Sequence, residues 1–177
     1  MKKENIGLVK LFEEIVNEVG DLKNISSFNY ELTNDDGKFY FEFEHQKCKG
    51  NVNFAQAPID IYSSFNFPPI INHKNKEIIS VGFDIEGTDE QYLKSNPKLL
   101  FRILKTVTDI VKDSLHKYPK DCIFVIMATS KTGSGFNDPQ KMNLYKLILQ
   151  QNLPTGYRMG EGDFIGNKLI FLTKNIK

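Results

Sequence analysis

The apolar and polar positions of the chain fall into runs of two periods, and the clearest of them lie between Glu77 and Ser130. Ile78 to Ile85 alternates, with Ile79, Val81, Phe83 and Ile85 on one side and Ser80, Gly82 and Asp84 on the other, which predicts a strand. From about Pro97 to Lys117, Leu100, Ile103, Leu104, Val107, Val111 and Leu115 recur at helical spacing. Cys122 to Ala128 is apolar throughout, the pattern of a strand buried on both faces. Strand, helix and strand in this order predict a right-handed crossover between parallel strands.

The flanking segments carry weaker versions of the same signals. Ile6 to Val19 has the apolar face of an amphipathic helix, with Gly20 as its stop. Ser27 to Leu32 and Lys38 to His45 read as strands of a hairpin, joined by a turn that ends in Asp36-Gly37. In the second, Phe39, Phe41 and Phe43 alternate with Tyr40, Glu42 and Glu44. Asn51 to Phe67 is strand-like but broken at Pro58, so an edge strand or two short strands are expected. A loop then runs from Phe67 to Lys76.

Beyond the central unit, Lys131 to Asn137 reads as a Gly- and Ser-containing loop, and Asp138-Pro139 as a helix start. The helix, about Pro139 to Asn152, is expected to bury Met142, Tyr145, Ile148 and Leu149. Two strands, Gly156 to Met159 and Leu169 to Leu172, are expected to flank a wide turn from Gly160 to Asn167.

Composition narrows the function classes. The chain has 177 residues, 40% hydrophobic and 25% charged, which suits one domain with an ordinary core. A net charge of +1 argues against a globally basic nucleic-acid binder. The 14 Phe and 7 Tyr, with no Trp, read as core aromatics. Cys48 and Cys122 suggest no disulfide framework, and a reducing, cytoplasmic setting is the simplest expectation. Neither a signal peptide nor an apolar run of membrane-spanning length is visible. His45, His73 and His116 lack metal-ligand spacing, so no metal site is expected.

The order of helix, antiparallel strands, strand, helix, strand, helix and hairpin resembles the GNAT superfamily of acetyl-CoA-dependent N-acetyltransferases, from about Ser26 to the C-terminus. The resemblance implies a single domain over 1–177, with a mixed, largely antiparallel sheet flanked by helices and a parallel strand-helix-strand unit at its centre. In that family acyl-CoA lies between the two parallel strands, and its pyrophosphate sits on backbone N–H groups at the start of the long helix. By the same resemblance Ser95, Asn96, Lys98 and Asn137 would line a CoA site. Asn137 or Asp138 followed by Tyr145 corresponds to the family's pattern of an Asn before a Tyr general acid, and Gly156-Tyr157 stands where the family has Gly-Phe.

The stretch before the long helix departs from the family's glycine loop. From Thr88 to Pro97 there is no glycine, and Glu86, Asp89 and Glu90 add negative charge where a pyrophosphate would bind. The helix between Tyr145 and Gly156 is also about two turns longer than the family pattern. Asn96-Pro97, Thr106-Val107, Leu144-Tyr145 and the Gly-Tyr hairpin are similar to small proteins of tailed bacteriophages, which implies a virion or host-cytoplasm setting.

Two functions follow as expectations. The first is a non-catalytic accessory or interaction protein with no cofactor, acting through a protein partner or self-association and with no role at a membrane or on nucleic acid. The second is an N-acyltransferase using acetyl-CoA, with Tyr145 as general acid and Glu86 as the base at the end of a central strand. Each residue has a plainer reading: Tyr145 as a core residue with its hydroxyl at the rim, and Asp84 and Glu86 as solvated strand-end carboxylates.

Overall fold

The computed structural model describes residues 25–35, 38–45, 48–86, 96–118, 121–126 and 139–174. The expected N-terminal helix, Ile6 to Val19, lies outside them. The fold is mixed α+β. Its strands are β1 (Glu31–Asp35), β2 (Lys38–His45), β3 (Cys48–Gln56), β4 (Phe65–Asn66), β5 (Ile78–Glu86), β6 (Ile123–Ile126), β7 (Tyr157–Phe164) and β8 (Asn167–Lys174). The helices are α1 (Pro97–Ser114) and α2 (Pro139–Asn152), and a 3-10 helix spans Ile59–Ser64.

The eight strands form one sheet in the order β1-β2-β3-β5-β6-β8-β7-β4. Among the described residues every neighbouring pair is antiparallel except β5 and β6, which run parallel with Ile78 to Val81 beside Ile123 to Ile126. The central strand-helix-strand unit is therefore present at the middle of a largely antiparallel sheet.

Side-chain alternation sends two apolar surfaces in opposite directions. On one face Val52, Phe54, Ile79, Val81, Phe124, Ile126, Ile170 and Leu172 pack with Phe101, Ile103, Leu104, Val107, Ile110 and Val111 of α1 and Tyr145, Ile148 and Leu149 of α2. On the other, Ile78, Ile123, Val125, Leu169 and Phe171 are covered by the segment 57–71. β6 contributes to both cores, as its unbroken apolar run requires.

Proline explains the shape of the covering segment. Pro58 ends the strand-like run two residues after β3 and sits extended at the start of the 3-10 helix, so the chain leaves the sheet there. It crosses the second face and pairs briefly at Phe65 and Asn66 with Phe164 and Asp163. The Asn66 amide donates to Asp163 at 2.9 Å, and the Ile78 N–H donates to the Tyr62 hydroxyl at 2.9 Å as the chain rejoins the sheet. Phe67 lies 5.0 Å from Phe171 and stacks on His73 at 4.4 Å, centroid to centroid. The stretch from Phe67 to Lys76 is the expected loop, anchored on the sheet by Phe67, Pro68 and Ile71 and exposed over 72–75.

Two expected elements are placed differently. Ser27 to Tyr30 precedes the first strand and lies along α1: Arg102 donates to the Ser26 and Ser27 carbonyls and stands 4.1 Å over the Phe28 ring. The Phe28 N–H donates to Thr106 Oγ1 at 2.9 Å, and the Tyr30 hydroxyl donates to Asp113. Those backbone groups are held by the helix, so strand pairing begins only at Glu31. The closing hairpin also has a two-residue turn, Ile165-Gly166, in place of a wide one. Gly160 and Gly162 are strand residues, present because the covering segment passes close over them.

Candidate functional site

The resemblance directs attention to the end of β5, the start of α1 and Tyr145. β5 continues to Glu86, five residues past the Val81–Ile126 pair where its described pairing with β6 ends. Asn96 precedes α1 and is half-buried, with its carbonyl accepting the Leu100 N–H at 3.1 Å. Pro97 opens the helix at a position where a missing N–H leaves no bond unmade. Lys98 is exposed. Ser95 and Asn137, with the rest of 87–95 and 127–138, lie outside the described residues.

Tyr145 is set into the core by helical periodicity, on the same face of α2 as Ile148 and Leu149. It is 1% exposed, and its ring lies 4.9 Å from that of Phe83 on β5. The hydroxyl has no hydrogen-bond partner among the described residues. Burial alone holds its ionisation well above the ordinary tyrosine value, because removal from water disfavours the charged phenolate. The sequence reading of a core tyrosine therefore holds for the ring, but the hydroxyl is enclosed and not at the rim.

Glu86 is placed elsewhere. Phe83 and Ile85 project to the helical face with Tyr145, so alternation sends Asp84 and Glu86 to the opposite face, where both are exposed. The candidate acid and the candidate base are separated by the sheet. A general acid and base acting on one substrate must both come within hydrogen-bond reach of it. The structure does not bring these two together.

Two further groups beside the sheet, Cys122 and Tyr118, are held protonated. The Cys122 thiol, buried at the start of β6, is pushed up to about 11 by burial and by Glu77, whose Oε2 accepts from it at 3.7 Å. That suppresses the thiolate a nucleophile needs. Tyr118, beside Phe54 and Phe124, is pushed up to about 12, chiefly by burial. His73 and His116 are exposed, and among the described residues no group of His, Cys, Asp and Glu is arranged to hold a metal ion. No described helix is long and apolar enough to cross a membrane.

Sequence reasoning missed the strap formed by Ser26 to Tyr30. Its signal was Arg102, Thr106 and Asp113 in line along one side of the amphipathic helix, next to its apolar face. No protein-family model matches the chain, and no curated protein or solved structure matches it.

The enclosed Tyr145 hydroxyl gives a test of its role. A buried donor without an acceptor costs about 1–3 kcal/mol, and removing it recovers part of that. Tyr145→Phe is expected to leave stability unchanged or raise it by up to about 1 kcal/mol. Urea unfolding of the two proteins measures this, and a loss above about 1 kcal/mol would mean that the hydroxyl has a partner.

Proposed function

We propose that this chain is a non-catalytic interaction protein on a GNAT-like scaffold, acting by contact with a protein partner or a second copy of itself. The observation that carries the reading is the separation of Tyr145 and Glu86 by the sheet, with Tyr145 enclosed. The parallel pair β5 and β6 joined through α1, and the closing hairpin β7 and β8, support the scaffold. The glycine-free, acidic approach to α1 supports the absence of a family-type CoA site. The similarity to tailed-bacteriophage proteins adds a virion or host-cell setting to the same proposal.

One observation favours the acyltransferase reading. Among the described residues the Tyr145 hydroxyl is a donor without an acceptor, and the ring that carries it lies against Phe83, in the part of β5 beyond its described pairing with β6. In the family the acyl-CoA lies between those strands. Asn96 and Lys98, with Ser95 and Asn137, would hold its polar end, and the coenzyme would supply the acyl group. The carboxylates of Glu86, Asp89 and Glu90 do not suit a pyrophosphate, and no reaction step is assigned to these residues.

Acetyl-CoA distinguishes the two. At about 100 times its dissociation constant, a bound ligand stabilises the folded state by about 2.7 kcal/mol. The interaction reading predicts no thermal shift with acetyl-CoA. A clear rise in melting temperature, lost in Ser95→Glu, overturns it.

A further inference from the structure

Four strands bring a row of residues to one end of the second face of the sheet. Ile78 of β5 lies beside Ile123 of β6, Ile123 beside Thr173 of β8, and Thr173 beside Arg158 of β7. Thr173 follows Leu169 and Phe171 in alternation, so it belongs to the face covered by the segment 57–71, and it is 4% exposed. Tyr157 and Met159 pack on the helical face, so Arg158 shares the face of Thr173, where it is exposed. Lys76, two residues before Ile78, reaches past β6, and its ammonium donates to Thr173 Oγ1 at 3.5 Å.

This end of the face gathers donors without an acceptor. An ammonium can only donate, so the Thr173 hydroxyl accepts from Lys76, and among the described residues its own proton has no taker. Lys76 is half-buried and Arg158 stands directly across from Thr173, yet neither is ion-paired among the described residues. The Glu77 carboxylate is turned to the Cys122 thiol in the helical-face core, and Asp121 is exposed. A half-buried cation without a counter-charge and a buried hydroxyl proton without an acceptor are both unfavourable. One anion between them satisfies both.

We propose that Lys76, Thr173 and Arg158 form a binding site for phosphate, as the free ion or as a monoester. Phosphate offers three oxygens to the three donors, whereas a carboxylate offers two, and arginine can bind it through two parallel hydrogen bonds. The site lies at the start of β5, whereas Phe83 and Glu86 lie at its end. It is therefore separate from the place in which an acyl-CoA would bind.

Isothermal titration calorimetry with inorganic phosphate, at an ionic strength held constant with chloride, tests this. Wild type is expected to bind phosphate saturably, and acetate not at all. Arg158→Gln, which alters only an exposed side chain, and Thr173→Val, which keeps the shape of a buried one, should each weaken binding about tenfold or more. Lys112→Gln, at an exposed lysine on α1, should leave it unchanged. Glycerol phosphate separates the two sources: binding as tight as that of the free ion or tighter assigns the site to a phosphate ester, and its exclusion assigns the site to phosphate itself. No saturable binding of either probe, binding retained in both site variants, or an equal loss in Lys112→Gln overturns the proposal.

Discussion

Phe171→Ala is expected to lower the unfolding free energy by about 3–5 kcal/mol, the largest effect of any single truncation considered for this chain. Phe171 is fully buried at the centre of the second face, flanked by Phe65 at 6.2 Å and Phe67 at 5.0 Å. These rings hold down a segment that pairs with the sheet over only two residues, so little backbone bonding can compensate for the cavity. In a protein of this size the loss corresponds to a fall in melting temperature of roughly 6–20 °C. Urea unfolding should show a lower midpoint. A cost below about 1 kcal/mol would mean that the covering segment is not held by this core.

Gly162→Ala is expected to cost about 1–3 kcal/mol, from overpacking. An added methyl would run into the Asn66 carbonyl oxygen and stand 2.7 Å from Phe171 Cε2. The first obstacle is backbone in a paired strand, and the second is a ring fixed between two others, so neither moves cheaply. Gly82→Ala is the control: its nearest obstacle, at 2.7 Å, is the side-chain oxygen of Asn53, which can rotate away. Gly162→Ala should therefore melt well below wild type and Gly82→Ala close to it. Equal effects would contradict the close crossing of 65–70 over β7.

These two substitutions also mark where the sequence stops being informative. The alternation of Ile78 to Ile85 and the apolar run from Cys122 were legible because each strand's pattern reflects the layers immediately above and below it. Lys38–His45 and the start of α2 at Pro139 were legible for the same local reason, the one from strict alternation and the other from a proline fit only for a first turn. Gly160 and Gly162 were read as turn glycines because a glycine's local meaning is a turn. Their actual role depends on Asn66 and Pro68, nearly a hundred residues away in sequence.

The candidate site divides in the same way. That Tyr145 faces the core follows from its place among Ile148 and Leu149, and that Glu86 ends a strand follows from β5. That the two lie on opposite faces follows from counting: Phe83 is on the helical face, and Glu86 is an odd number of residues away. This was available from the sequence once Tyr145 was known to meet Phe83, and only packing supplies that contact. The Arg102 strap needed the same kind of information, since Ser27 to Tyr30 has strand-like residues and only the polar line on α1 diverts it.

In the proposed interaction protein Tyr145 serves only the core, and acetyl-CoA has no site. The most direct measurement is differential scanning calorimetry of wild type and Tyr145→Phe, each with and without acetyl-CoA in large excess. Tyr145→Phe is expected to melt at or slightly above wild type, with acetyl-CoA moving neither transition. A transition raised by acetyl-CoA in wild type and not in Tyr145→Phe would contradict it.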